Sequence, residues 1–263
     1  MITIRSADEL ARLEQASWVV LETLEVLEKA VEPGVTTEEL DRIAASEIAR
    51  HGARPAFLGY RGFPKTICTS VNDEVVHGIP GKRSLKDGDI IGIDCGAVVD
   101  GYFGDAARTL PVGRIDSARE RLLAVTREAL HAGITAARPG GRVSDIGAAV
   151  EAVAMAHGYG VVREFVGHGV GTALHEEPQI PNYGPAGRGS RLAPGMVLAI
   201  EPMFNLGTCE VSVDRDGWTV RTHDRSASAH FENTIVIGAE GPVILGLGRV
   251  RSAADREPAA IPA

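Results

Sequence analysis

Four carboxylates and a histidine in this sequence stand where burial would be costly without a positive partner. Residues 85–94 read Leu-Lys-Asp-Gly-Asp-Ile-Ile-Gly-Ile-Asp, and residues 192–201 read Leu-Ala-Pro-Gly-Met-Val-Leu-Ala-Ile-Glu. Each segment is a leucine, a glycine turn and an apolar strand closed by a carboxylate. Asp94 and Glu201 therefore hold equivalent places, 107 residues apart. A charge at the end of a buried apolar strand is expensive unless a counter-charge meets it. Its presence in both copies of a repeated unit suggests two halves converging on one charged object, with a metal centre as the leading candidate.

Two further carboxylates fit the same reading. Asp100-Gly101 is a two-residue hairpin signal. With those residues as the loop, Asp105 faces Gly96, which puts it on the same strand face as Asp94. Asp94 and Asp105 become diagonal neighbours, roughly 7–8 Å apart by ordinary sheet geometry. Glu232 precedes the apolar run Thr234-Ile-Val-Ile237, and His168 lies between glycines in Phe165-Val-Gly-His-Gly-Val-Gly171. Four carboxylates in one cavity cannot all stay ionised without cations. Two divalent ions would balance them. One histidine among oxygen ligands suits Mn, Fe, Co or Zn, and the lack of cysteine ligands argues against a structural zinc. Two such ions close together form a hydrolytic centre.

The elements that must position these groups are themselves repeated. Pro33-Gly34, a helix and His51-Gly52 recur as Pro139-Gly140, a helix and His157-Gly158. Two copies make a solenoid a poor reading and favour halves facing across a pseudo-twofold axis. Ser6-x-x-Glu9 is a capping box that opens an amphipathic helix carrying Leu10, Leu13, Val20, Leu21, Leu24 and Leu27. Thr36-x-x-Glu39 opens a second helix running to about Arg50. The pattern then predicts a short strand at Thr66–Val71, two strands over 89–110, helices at about 117–137 and 144–156, a strand at about 160–166 and three more strands to about 246. Two helices followed by strands, done twice, gives an α+β fold around a central antiparallel sheet. The expected division is one catalytic domain over 1–250, with halves of about 1–115 and 116–250. Residues 251–263, rich in Ala and Pro, read as a disordered tail.

Composition narrows the function. The chain has 263 residues and a net charge of −8, which argues against a nucleic-acid partner held through phosphates. No stretch has the roughly 20 apolar residues of a spanning helix, and the start reads as neither a signal peptide nor an anchor. Cys68, Cys95 and Cys209 lack metal-pair spacing. They read as reduced thiols of a cytoplasmic protein, with Cys95 and Cys209 as small buried hydrophobes, and Asp73 reads as solvent-exposed.

The segment Phe165-x-Gly-His-Gly-Val-Gly-x-x-x-His175-x-x-x-x-Ile180-x-Asn182-Tyr183 resembles the signature of type I methionine aminopeptidases. Gly59–Lys65 and Val71–Pro80 extend the likeness, which covers about residues 3–248. The resemblance implies the pita-bread fold of two related halves, and it implies removal of the initiator methionine from nascent proteins when the second residue is small. It implies hydroxide on a dinuclear centre of Co, Mn, Fe, Zn or Ni. Asp94, Asp105, His168, Glu201 and Glu232 match the five metal positions, Asp105 and Glu232 as bridges. His77, His175 and Glu201 match catalytic positions, with both histidines contacting the scissile peptide. Tyr60, Phe63, Cys68 and Trp218 match the walls of the methionine pocket, where apolar, aromatic and sulfur-bearing groups suit a thioether. Leu174 replaces the expected aromatic. The implied partner is the N-terminal peptide of nascent chains near the ribosome exit, met by a monomer in the cytoplasm. Xaa-Pro aminopeptidases and prolidases share the fold and the metal set, but they carry a large extra N-terminal domain and differ around the first glycine-flanked histidine.

Overall fold

The computed structural model describes residues 2–248, so the tail expected at 251–263 lies outside the described residues. Capping starts the helices where the sequence places them. Ser6 and Glu9 close a reciprocal box at the head of α1 (Ala7–Ala30), and Thr36 and Glu39 do so for α2 (Thr37–Arg50). Three strands follow, β1 (Arg54–Pro55), β2 (Ile67–Val71) and β3 (Glu74–Val76), with a single 3-10 turn at Tyr60–Gly62 between the first two.

The long hairpin comes next, β4 (Ile90–Val99) and β5 (Tyr102–Pro111). Asp100 and Gly101 take φ of 49° and 82°, the paired left-handed conformation that a two-residue hairpin loop requires. Gly96 pairs with Asp105, the register expected from the sequence. In the second half, α3 (Ser117–Ala136) is capped by Asp116, and α4 (Val143–His157) ends on the left-handed Gly158.

The strands after α4 depart from expectation. In place of one strand at about 160–166 there is only β6 (Gly160–Val161), and the residues between it and position 167 form no strand. Instead of three further strands, nine appear among the described residues. They are β7 (Gly167–Gly169), β8 (Glu176–Ile180), β9 (Val197–Ile200), β10 (Met203–Asn205), β11 (Val211–Val213), β12 (Val220–Thr222), β13 (Ser228–His230), β14 (Glu232–Ile237) and β15 (Pro242–Ile244). Most are three residues long, too short for a period-two pattern to register in sequence.

The main sheet runs β1-β4-β5-β14-β9-β7-β8, with β2 added on β4 and β15 on β14, and every pairing is antiparallel. The β4–β5 pair of the first half meets the β9–β14 pair of the second at β5 and β14. One apolar cluster joins Leu24 and Leu27 of α1 and Leu40 of α2 to Ile91 and Ile93 of β4. Its counterpart joins Leu122 and Ile134 of α3 and Val150 of α4 to Leu198 and Ile200 of β9 and Ile235 and Ile237 of β14. Strand residues alternate faces, so the helices consume one parity of each central strand. Asp94, Glu232 and Ala199 have the other parity and belong to the opposite face.

Candidate metal and peptide site

Register assembles that opposite face as a row. Cys68 pairs with Asp94, Asp94 with Ala107, and Ala107 with Glu232. Glu201 follows Ile200, whose partner is Asn233, and so continues the row beside Glu232. Asp105 lies two residues from Ala107 on the same face, and His168 pairs with Ala199. Only a methyl group at Ala107 separates Asp94 from Glu232, which leaves their carboxylates room to converge. All five expected ligands line one cavity of about 280 Å³. Ligand atoms of Asp105, His168 and Glu232 lie within 4.8 Å of one another.

The backbone beneath these groups is fixed by close approach and by hydrogen bonds. A Cβ on Gly167 would fall 2.4 Å from the Ala199 carbonyl oxygen, and one on Gly169 2.3 Å from that of Glu177. Glycine on both sides of His168 therefore lets β7 seat between β8 and β9. Thr234 Oγ1 donates to the Asp105 carbonyl at 2.8 Å, and Asn182 Nδ2 donates to the Glu201 carbonyl at 3.0 Å. Asn182 belongs to the quoted signature, but its role as a brace becomes visible only in the fold.

The electrostatics call for a cation. His168 Nδ1 lies 2.9 Å from the Gly169 carbonyl, an acceptor that fixes the ring proton on that nitrogen. Nε2 then presents a lone pair, 3.6 Å from Glu201 Oε1 and 3.8 Å from Asp105 Oδ2. Lone pairs and carboxylates facing one another at that range repel unless a positive ion sits among them. Asp94 Oδ1, Asp105 Oδ1 and Glu232 Oε1 are buried without a hydrogen-bond partner. Burial pushes the Asp94 pKa up to about 7, with the Glu201 carboxylate adding to the rise. Burial, and then the neighbouring carboxylates, push Asp105 and Glu232 well above the ordinary range. A divalent cation fits this donor set, because hard oxygen ligands and one neutral imidazole leave their acceptor atoms unsatisfied toward a common point.

The apolar end of the cavity adjoins the carboxylates. Phe63 and Cys68 are buried with Phe57 and Leu174, and Tyr60 and Trp218 pack against them. Phe63 and Trp218 meet edge to face with centroids 5.0 Å apart. Leu174 thus joins the pocket wall as an aliphatic residue. Phe57 was not among the residues singled out in sequence, and Phe165, named there only as the start of the signature, stands edge-on to His77 at 5.4 Å. His77 has φ of 60°, a strained conformation for a side chain larger than glycine and one that clusters at functional sites. Burial lowers its pKa to about 4. His175 opens to the cavity 4.3 Å from the His168 ring, and loss of solvent with the nearby His168 lowers it to about 4. Tyr60 Oη lies 2.9 Å from His175 Nδ1.

Two expectations about individual residues change. Cys95 is fully buried as a small hydrophobe, but Cys209 is half-exposed, because it sits in the turn between β10 and β11. Asp73, which sequence places in solvent, is half-buried in ion pairs with Arg221 and Arg225, each at 3.0 Å.

Residues 11–239 match the model of metallopeptidase family M24. A methionine aminopeptidase of Clostridium acetobutylicum is 50% identical over 248 residues, covering 94% of this chain and 99% of that protein. Methionine aminopeptidase 1 of Bacillus subtilis is 52% identical over 245 residues, covering 93% and 99%. The crystal structure of methionine aminopeptidase from Rickettsia prowazekii superposes with a TM-score of 0.93 at 42% identity, covering 94% of this chain and 100% of that one. This chain belongs to metallopeptidase family M24, and within it to the methionine aminopeptidases, with their pita-bread fold.

Proposed function

We propose that the protein removes an N-terminal methionine from peptides whose second residue is small, with two divalent cations held by Asp94, Asp105, His168, Glu201 and Glu232. The observation that carries this reading is the continuity of one cavity: an apolar, aromatic and sulfur-lined pocket opens directly onto unsatisfied buried carboxylates and the His168 Nε2 lone pair. Bound divalent ions supply Lewis acidity toward the scissile carbonyl and lower the pKa of a water. Their identity falls among Co, Mn, Fe, Zn and Ni.

The side chains do the rest. Tyr60, Phe63, Cys68 and Trp218 enclose the thioether side chain. In the tautomer this role requires, the Tyr60 hydroxyl donates to His175 Nδ1 across 2.9 Å and the ring proton sits on Nε2, directed to the oxygen that gains charge when the carbonyl is attacked. With its pKa near 4, the His175 ring is neutral at pH 7 and serves as a hydrogen-bond donor that keeps its proton. His77, equally neutral, contacts the peptide on the other side. Glu201 accepts the proton of the attacking water and passes it to the leaving amine. The substrate reaches the site as the N-terminus of a nascent chain in the cytoplasm, met by a monomer near the ribosome exit. No helix among the described residues is long and apolar enough to cross a membrane.

Hydrolysis of a series Met-Xaa-Met-Met, with Xaa from Gly to Trp and products read by mass spectrometry, tests the activity. Gly, Ala and Ser should be cleaved about 100-fold faster than Leu or larger residues, because a bulky second side chain against His77 and the 168–171 loop displaces the carbonyl by about 1 Å. Equal cleavage of Met-Gly and Met-Leu would remove the size rule. Cleavage before proline, whatever the first residue, would favour an Xaa-Pro enzyme.

His175→Ala should lower kcat by about 10²–10³, the cost of one donor to a developing oxyanion, while metal content stays at the wild-type level. Loss of metal from that variant would show His175 to be a ligand.

A further inference from the structure

His230 is the last residue of β13, two positions before Glu232, and no motif drew attention to it. Its backbone is held in both directions by Thr109, whose Oγ1 donates to the His230 carbonyl at 2.8 Å and accepts from its N–H at 2.9 Å. Pairing with Met203 on β10 completes the anchorage. The side chain is buried, at 3% exposure, and its Nε2 has no hydrogen-bond partner. A buried ring nitrogen left in that state costs about 1–3 kcal/mol, so an acceptor close by is worth seeking.

That acceptor is Glu201. Its Oε2 lies 3.6 Å from His230 Nε2, while its Oε1 lies 3.6 Å from His168 Nε2. The Glu201 carboxylate thus stands between two imidazoles, one oxygen toward each. Nε2 is just beyond hydrogen-bond range, and a shift of about half an ångström closes the contact. Among the described residues Nε2 has no hydrogen-bond partner, and the carboxylate that pairs with it is that of Glu201. Asp94 and His77 act on the same space electrostatically.

We propose that His230 is a positioning residue for the metal centre: its Nε2–H donates to Glu201 Oε2 and holds the carboxylate with Oε1 turned to the ion. The proposal rests on the metal-ligand reading of Glu201 above. Carboxylates that bind metals are themselves hydrogen-bonded, and loss of such an outer partner typically weakens metal affinity by about 10–100-fold. A lone-pair acceptor or an apolar group at position 230 would leave Glu201 free to rotate between useful and useless orientations.

Titration of the metal-free protein with Mn²⁺ by isothermal calorimetry tests this, using wild type, His230→Gln and His230→Leu, with circular dichroism to verify the fold of each. Wild type and His230→Gln, whose amide can donate to the same oxygen, should bind within a few-fold of each other. His230→Leu should bind about 10–100-fold more weakly with unchanged stoichiometry. Equal affinity for all three would overturn the proposal. Loss of a whole equivalent of Mn²⁺ from both variants would overturn it in favour of direct ligation by His230. If His230→Leu does not fold, His230→Asn, whose amide is too short to reach Oε2, takes its place with the same expectation. Absence of Mn²⁺ binding by wild type would refute the metal reading itself, which separates that failure from failure of the His230 assignment.

Discussion

Stripping divalent cations from the protein should abolish hydrolysis of Met-Gly-Met-Met, and returning Mn²⁺ or Co²⁺ should restore it. The same treatment should lower the thermal midpoint at neutral pH. The cause is the set of carboxylates on one sheet face, with Asp94 Oδ1, Asp105 Oδ1 and Glu232 Oε1 buried and unpartnered. An ion that binds the folded form alone stabilises it by about 2.7 kcal/mol at a free concentration of roughly 100 times its Kd. For a domain of this size that is a midpoint shift of about 5–10 °C.

The metal-free protein should also respond to pH in a defined sense. Asp94 titrates near 7 in the fold and near 4 when unfolded, so between those values the folded form holds a proton that the unfolded form has released. Stability of the metal-free form therefore falls as pH rises from about 4 to about 7. Burial raises Asp105 and Glu232 in the same direction, so both add to the decline. With metal bound, the ionised carboxylates have their counter-charge and the decline should flatten. Thermal melts from pH 5 to pH 8.5, with and without Mn²⁺, give both slopes. Full activity in a protein shown by elemental analysis to be metal-free would refute the metal reading, and a pH-independent midpoint without metal would refute the burial argument.

Much of this site was open to sequence reasoning because sheet geometry is periodic. Asp100-Gly101 fixes a turn, the turn fixes the register, and the register places Asp105 opposite Gly96 on the face of Asp94. The duplicated segment extends the inference to the second half, where Glu201 directly follows β9, although Asp94 lies within β4 and not at its end as the repeat suggested. Physical reasoning from residues stops where contacts are long-range and aperiodic. Nothing local in Ala229-His230-Phe231 shows that the ring of His230 will face Glu201, since His230 ends β13 and Glu201 lies in the link between β9 and β10. The same holds for Arg5, whose guanidinium is buried against Glu176. Glu176 Oε1 in turn accepts from the backbone N–H of Thr172 at 2.8 Å and of Ala173 at 3.1 Å, stiffening the loop that leads to His175. A charged residue ahead of the first helix gives no sign in sequence of such a partner. The three-residue strands were missed for the opposite reason: each is set by its neighbours and carries too few residues to show a pattern of its own.

Asp94→Asn should damage the centre and spare the fold. A neutral amide is a poor ligand for a hard cation, and it removes one of the negative charges that balance the ions. Metal affinity and turnover should both fall by more than the 10–100-fold associated with outer partners of metal ligands. Stability without metal should move the other way. Below about pH 4 the Asp94 carboxyl is protonated in both the folded and the unfolded form, so there the variant and the wild type should melt together. Above pH 7 the wild type must ionise a buried group among Asp105, Glu201 and Glu232, and the Asn variant need not. The metal-free variant should therefore melt higher than metal-free wild type at pH 8.5, stability having been given up at this position for ion binding. The comparison residue is Asp100, exposed at the hairpin tip with φ of 49°, where Asn-Gly serves the turn as well as Asp-Gly. Asp73 would be a poor comparison, since its ion pairs with Arg221 and Arg225 would be weakened. Asp100→Asn should match wild type in metal content, turnover and both melting curves. If Asp94→Asn retained wild-type Mn²⁺ affinity, Asp94 would lose its place as a ligand; if it melted lower than wild type at pH 8.5, the repulsion assigned to the metal-free cavity would be wrong.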